Sequence, residues 1–508
     1  MSASTAAPGA PVSPPQATPA PAGSRHGAIQ PFFETAAAPL ARRRLLLVSY
    51  HFPPGSATGA LRWQKMARVA HERGWRLDVV TAAPEQLDAP DWTRLRELPP
   101  GVRLFGARAR LEESAPRRAL GRALHRLQRR WPAGAAPPGA APAAAVEPDM
   151  ATRDEIRFEP SLRALARAFR AWEWVRADAR WARSAARLAR ALARTGGYDA
   201  LVTCGPPHMA HAHVARVARR SGIPLVMDLR DPWSQLPFLP RDVASPLWYA
   251  LARRLEARAV RAASLVVANT EPLRLALRRS HPAAAERIVT VTNGCDDEPT
   301  PPPRHGRRFT LAFAGTIYID RDPRPLLRAL AALVRAEALG PEDVGADFVG
   351  NAAAYGGVGL ERLAREAGVG DLVRLHPHRP RSELLEFLAG AAMLVSLPQD
   401  TELQIPSKIF EYMQFSAWLL VLARPESGTA MLLRGSGADV VAPDDEAGLA
   451  AVLARRYREY RSGVRPEPLA ADGRFSRRRQ AGLLFDELER RLGGRGAPPR
   501  EAAQAPIT

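Results

Sequence analysis

Between Tyr198 and Pro443 the chain alternates short apolar runs with helix-length segments, and that rhythm limits its fold more than any other feature. The runs "YDALVTC" (198–204), "IPLVMDL" (223–229), "SLVVANT" (264–270) and "RIVTVTNG" (287–294) are too short for helices and read as strands buried on both faces. Helices are predicted between them, from about His208, over Ala250–Ala262 and from Glu271. Strand and helix in alternation build a parallel sheet covered on both sides. The proline run of "DDEPTPPPRHGRR" (296–308) interrupts the series as a linker. A second series then follows: "FTLAFAG" (309–315), a helix over Pro325–Leu339, "ADFVG" (346–350), "VRLHPH" (373–378), "AAMLVSL" (391–397), "WLLVLA" (418–423) and "ADVVAP" (438–443). The fold class expected is α/β, with two doubly wound units facing a deep cleft.

The first unit begins earlier, with a strand over Leu45–Val48 that runs into "YHFPPGSATG". Pro53 and Pro54 stop the strand, Gly55 and Gly59 permit close backbone approach, and a helix over Ala60–Glu72 ends at Gly74. A second strand follows over Arg76–Ala82. A strand, a small-residue loop and a helix start make a ready anion site. The boundaries expected are a disordered Pro/Ala-rich start (1–40), a first domain (41–295) holding a low-complexity insertion (107–159), and the linker 296–308. A second domain (309–475), a C-terminal helix (476–493) and a disordered tail (494–508) complete the chain.

The net charge of +20 invites a nucleic-acid reading, but the excess is nearly all arginine spread through every segment. Only Lys65 and Lys408 are lysines. Cys204 and Cys295 are too few for a disulfide framework, so a reducing compartment is expected. No secretion signal or bilayer-length apolar run is visible, which points to a cytoplasmic protein or one lying on the inner membrane face.

Ligands of doubly wound sheets sit beyond the carboxyl ends of the strands, so the informative residues are those just after the apolar runs. After "LVTC", His208 opens a helix at the expected cleft edge, where a group titrating near neutrality could act on a developing charge. His211 shares its helical face and His213 does not, so no metal is expected there. After "PLVM", Asp228, Arg230, Asp231 and Trp233 crowd a strand end, where Arg230 could clamp an anion or pair with its neighbours. After "TLAFA", Gly315 ends the strand, Thr316 follows, and Arg321 and Arg324 stand at the next helix start, a place a phosphate fits. In "LQIPSKIFEYM", Pro406, Ser407 and Lys408 open a helix and Glu411 lies one turn on, able to hold a ribose diol or to favour the dipole.

These blocks, "YHFPPGSATGALRWQKMARVAHERGWRLDVVT", "GPPHMAHAH", "GIPLVMDLRDPW", "LVVANTEPLRLAL", "FAGTIYIDRDPRPLLRAL" and "PSKIFEYM", resemble successive segments of the family 4-like glycosyltransferases of the GT-B fold. The resemblance spans about Arg44 to Ala454, without the insertion. It implies two Rossmann-like domains, the first for the acceptor and the second for a nucleotide diphosphate sugar. The implied reaction is transfer of the sugar with retention and no metal, with no cofactor beyond the nucleotide-sugar co-substrate. Arg321 falls where the family places a lysine on the donor diphosphate, Glu411 on the glutamate that holds the ribose, and His208 in the block with an active-site histidine. Thr316 stands where an arginine is frequent, and Leu403 where the family's first glutamate would be. Lys408 is expected to supply the charge that Thr316 lacks. It would meet Arg321 around a pyrophosphate opposite the bare backbone of Gly55 and Gly59, with Arg62, His211, Asp228, Arg230, Asp231 and Trp233 toward the acceptor.

The stretch Ser161–Arg194 carries Trp172, Trp174 and Trp181 among nine arginines and two acids. That composition suits either a membrane interface or a helix whose apolar face is core. On the first reading the acceptor is a lipid-linked or cell-envelope glycan and an anionic membrane surface is a partner. The alternatives are an Arg-rich nucleic-acid-binding α/β protein and a GT-B-shaped protein without transferase activity; with arginines this scattered, no nucleic-acid partner is expected.

Overall fold

The computed structural model describes residues 29–38, 41–87, 89–109, 150–157, 161–296, 298–304, 306–317, 321–399 and 402–493. The expected tail 494–508, residues 1–28 and most of the expected insertion lie outside the described residues.

The first sheet has eight strands. Their spatial order is Phe33–Glu34, Val102–Ala107, Trp75–Ala82, Arg43–Ser49, Ala200–Gly205, Leu225–Leu229, Leu265–Ala268 and Ile288–Thr290. All neighbours are parallel except the first pair. After the edge strand Phe33–Glu34 the chain enters the centre at Arg43–Ser49, builds outward to that edge, then returns to build the other side, so the sheet switches direction between Arg43–Ser49 and Ala200–Gly205. The second sheet repeats the plan in six parallel strands, ordered Val373–His376, Val344–Val349, Phe309–Ala314, Met393–Ser396, Trp418–Leu422 and Asp439–Val441. Its switch point lies between Phe309–Ala314 and Met393–Ser396.

Leu45, Leu46, Leu47 and Val48 are all fully buried because helices cover both faces: Leu46 and Val48 meet one core, Leu45 and Leu47 another. The second sheet likewise has a core on each face. The long helix Leu162–Thr195 gives Trp181, Ala182, Ala185, Ala189 and Leu192 to the first core, while Leu165, Trp172 and Trp174 stay exposed. The helix Arg477–Arg491 follows the second unit in sequence but packs on the first, where Ala481, Leu484, Phe485 and Leu488 join the core that contains Trp63 and Trp75.

Two departures from expectation concern edges. Residues 29–38, placed in the disordered start, are ordered where Phe33–Glu34 pairs antiparallel with Val102–Ala107. Phe32 and Phe33 pack against the first unit's core, and the pairing satisfies a strand edge that would otherwise be bare. Within the expected insertion, Met150–Thr152 pairs antiparallel with Phe238–Pro240. Neither cysteine forms a disulfide, and both are buried.

Candidate active site

A cavity of about 300 Å³ lies between the carboxyl ends of the two sheets. From the first unit it is lined by His51, Thr58, Gly59 and Arg62 after the central strand, and by Arg230, Asp231, Asn269 and Asn293 after later ones. The second unit supplies Arg321 and the run Gln404–Ser407, and the C-terminal helix supplies Arg477. Two contacts join the units beside it: Gln404 Nε2 donates to Asp231 Oδ1 at 2.8 Å, and Thr270 Oγ1 donates to the Leu403 carbonyl at 2.6 Å.

Arg62 is the most heavily bonded lining residue. Its guanidinium forks onto Asp228 at 3.0 Å on both arms, and also donates to the carbonyls of Val291 and Thr292 at 3.0 Å. Trp63 Nε1 adds a 2.8 Å bond to the same carboxylate. Arg62 and Asp228 are 4% and 0% exposed, so each cancels the other and neither is available to a ligand. Together they pin the helix Leu61–Glu72 across three strand ends. Arg230 leans on the Gly205 carbonyl (3.2 Å) and Arg321 donates to the Thr316 carbonyl (3.0 Å). With Arg477 they give the cavity three guanidiniums beyond the neutralised one, against one carboxylate, Asp231, among the described lining residues.

The structure brings Gly59, Arg62, Arg230, Asp231, Arg321, Pro406 and Ser407 to the cavity and leaves other expected residues outside it. Gly55 sits in a β-bridge with Pro90, and its carbonyl accepts from Arg94 (3.0 Å), so it is a packing residue rather than a phosphate cradle. What approaches Gly59 is the Arg230 guanidinium: a Cβ there would stand 2.0 Å from Nη1. Lys408 does not meet Arg321 around the cavity; its Nζ pairs with Glu411 at 3.2 Å. Glu411 also accepts from Arg381 at 2.8 Å, so both carboxylate oxygens are engaged. Arg324 is turned onto Asp322. Gly315 and Thr316 support Arg321 from behind without lining the cavity.

His208 was expected at the cleft edge. It is half-buried beneath it, its ring stacked on Trp233 (centroids 5.6 Å apart, 16° between planes) and on His211 (5.9 Å, 29°). Burial, then the His211 ring, pushes its pKa down to about 3, and burial does the same to the fully buried His211. The aromatic set His208, His211 and Trp233 is therefore a neutral packing unit. His51 takes the cleft position instead; burial and Arg230 lower its pKa to about 4, so it stands neutral and able to hydrogen-bond a hydroxyl.

These histidines set an acid limit on stability. Their folded pKa values lie below the unfolded value of 6.5, so below that pH the unfolded chain takes protons that the folded chain refuses. Stability therefore falls as pH drops from about 6.5 toward 4. Neither ring nitrogen of His211 has a partner among the described residues. The loss of Tm between pH 7 and pH 5, followed by calorimetry, should be smaller in His211→Phe than in the native chain.

Residues 139–299 match the family described as Glycosyltransferase Family 4. A D-inositol 3-phosphate glycosyltransferase of Catenulispora acidiphila is 30% identical over 212 residues, covering 38% of this chain and 50% of that protein. One from Thermomonospora curvata is 30% identical over 223 residues, covering 39% and 50%. Over these segments the chain resembles that family. It spans about half the length of the curated relatives it matches. The GT-B fold extends further. An apo lipopolysaccharide outer core galactosyltransferase, WaaB, superimposes with a TM-score of 0.52 at 10% identity, over 88% of this chain and 99% of its own. The HepE protein of Anabaena, in complex with UDP, does so with 0.53 at 15% identity, over 88% and 100%.

A larger cavity of about 430 Å³ lies elsewhere, lined by Arg253, Glu256, Arg261, His281 and Arg287 among others. It belongs to the first unit alone. Its carboxylate, Glu256, is fully buried and already held by Ser234, Gln235 and His281, so it is not available to a ligand. Among the described residues no three His, Cys, Asp or Glu side chains converge as metal ligands would. Sequence reasoning missed His51, Thr58, Asn269, Asn293, Gln404 and Arg477. The one available signal was position, since His51, Asn269 and Asn293 all stand just past strand ends.

Proposed function

We propose that the protein transfers a sugar from a nucleoside diphosphate sugar to an acceptor hydroxyl, with the diphosphate held in the cavity between the two sheets. The observation that carries this is the convergence of Arg230 from the first sheet and Arg321 from the second on one cavity at both switch points. Guanidinium groups there offset the charge that develops as the glycosidic C–O bond to the leaving diphosphate breaks. Retention is part of the proposal. Among the described lining residues the carboxylate is Asp231, whose Oδ1 accepts from Gln404, and no second one stands beside it as in the carboxylate pair of a glycosidase. The leaving oxygen then takes the acceptor proton on the face it departs from, and neutral His51 orients a sugar hydroxyl. A resident metal has no role in this scheme, because Arg230 and Arg321 supply the positive charge.

A lipid-linked or cell-envelope acceptor is the reading supported by the exposed Leu165, Trp172 and Trp174 at one end of the Arg-rich helix. Flotation of the full chain with anionic but not neutral vesicles is expected; no preference between them removes this part. The function itself is tested by incubating the chain with a panel of nucleotide sugars, UDP-glucose first, and scoring nucleoside diphosphate release in the presence and absence of EDTA. Acceptor-dependent release that EDTA leaves unchanged is expected. Saturable binding without release from any donor, across soluble and lipid-linked acceptors, would identify a GT-B protein that binds but does not transfer.

A further inference from the structure

We propose that Arg477 is a third guanidinium of the donor diphosphate site, delivered to it by the pivot between the two units. The proposal rests on the reading of the cavity as a diphosphate site and extends it to a residue outside both sheets. Arg477 is the first residue of the helix by which the chain returns from the second unit to the first. At that crossing two extended segments run side by side: Cys295 N donates to the Phe475 carbonyl at 2.9 Å, and Arg477 N donates to the Cys295 carbonyl at 2.8 Å. A Cβ on Gly294 would lie 2.5 Å from the Phe475 carbonyl oxygen, so the segments reach this separation only with glycine there. The backbone of Arg477 is thus fixed where the units meet.

Its side chain lines the cavity with Arg230 and Arg321 and is 18% exposed. Nε stands 2.9 Å from Asp296 Oδ1, but the N–H is not aligned for a hydrogen bond, so this contact orients the group ionically. Among the described residues the Arg477 side chain donates no hydrogen bond, and its ion pair is with Asp296. Asp296 also lies 3.6 Å from Arg381 and 3.9 Å from Lys65, which have carboxylate partners of their own in Glu411 and in Glu97 and Glu298. A guanidinium held beside Asp296 on the wall of a cavity that Arg230 and Arg321 also line is suited to a doubly charged diphosphate. Arg230, Arg321 and Arg477 then reach the ligand from the first unit, the second unit and the junction between them.

Isothermal titration of the full chain with UDP, GDP and ADP, and with the corresponding nucleosides, tests this on native protein, Arg477→Gln and Arg477→Lys. The native chain should prefer its nucleoside diphosphate over the bare nucleoside. Arg477→Gln should lower diphosphate affinity by about tenfold while nucleoside affinity stays unchanged, as expected for loss of one charge-assisted contact. Arg477→Lys should recover part of the loss. Unchanged diphosphate affinity in Arg477→Gln overturns the proposal and leaves the donor site standing. Equal loss for diphosphate and nucleoside together with a lowered Tm also overturns it, since that is what a purely structural pivot residue would show. Failure of native protein to bind any of the three diphosphates removes the donor reading itself and the proposal with it.

Discussion

Arg321→Gln should lower kcat for sugar transfer by about 10²–10³-fold, the scale for loss of one preorganised group that stabilises transition-state charge. The guanidinium sits in the cavity at the start of the helix Arg324–Glu337 and is oriented by the Thr316 carbonyl. As the glycosidic bond breaks, the diphosphate gains negative charge. A cation held about 4 Å away at an effective dielectric constant of about 20 interacts with unit charge by about 4 kcal/mol. The ground-state diphosphate is already charged, so part of the interaction appears in KM and the increment during bond breaking appears in kcat. Arg321→Lys keeps the charge without the fork and should fall between the two. Steady-state kinetics at saturating donor reads this. A kcat in Arg321→Gln within twofold of the native value contradicts the role.

Asp228→Ala should destabilise the protein by about 3–5 kcal/mol, because it leaves the Arg62 guanidinium buried without its counter-ion. Both side chains are almost wholly buried and Trp63 loses its acceptor at the same time. Arg62 would retain its bonds to the carbonyls of Val291 and Thr292, which satisfy hydrogens but do not balance a charge. The double replacement Arg62→Met with Asp228→Leu should recover most of the loss, as apolar replacements of buried ion pairs do elsewhere. Urea unfolding of the two variants distinguishes a buried pair from a surface one; a loss under 1 kcal/mol in Asp228→Ala would mean that water reaches Arg62.

Strands such as Leu45–Val48 and Met393–Ser396 were legible in the sequence because parallel strands covered on both faces must be apolar at every position. Phe33–Glu34 was not, since it is a two-residue edge strand beside a Pro/Ala-rich segment, and Val102–Ala107 was not, since Arg103 and Gly106 break its apolar run. The site was partly visible for the same reason: Arg230, Arg321 and Ser407 follow strands whose ends could be placed. Composition misled at Lys408, whose rarity as a lysine suggested a special role, whereas the side chain pairs with Glu411 one turn away. Spacing misled at His208, because a helix start places a ring near the cleft but cannot say that Trp233 will stack on it. Arg477 was invisible, since its place depends on a chain crossing 180 residues after the linker begins and no local pattern marks such a return.

The central claim is that one cavity, walled by both sheets, holds the nucleoside diphosphate. Hydrogen–deuterium exchange of the full chain with and without UDP, or whichever diphosphate it binds, tests it most directly. The account predicts slowed exchange in two separate places at once, the segment 51–62 after the first sheet's central strand and the segment 403–409 at the second sheet's switch point. Protection confined to 253–261 and 280–287, around the larger cavity of the first unit, would contradict it.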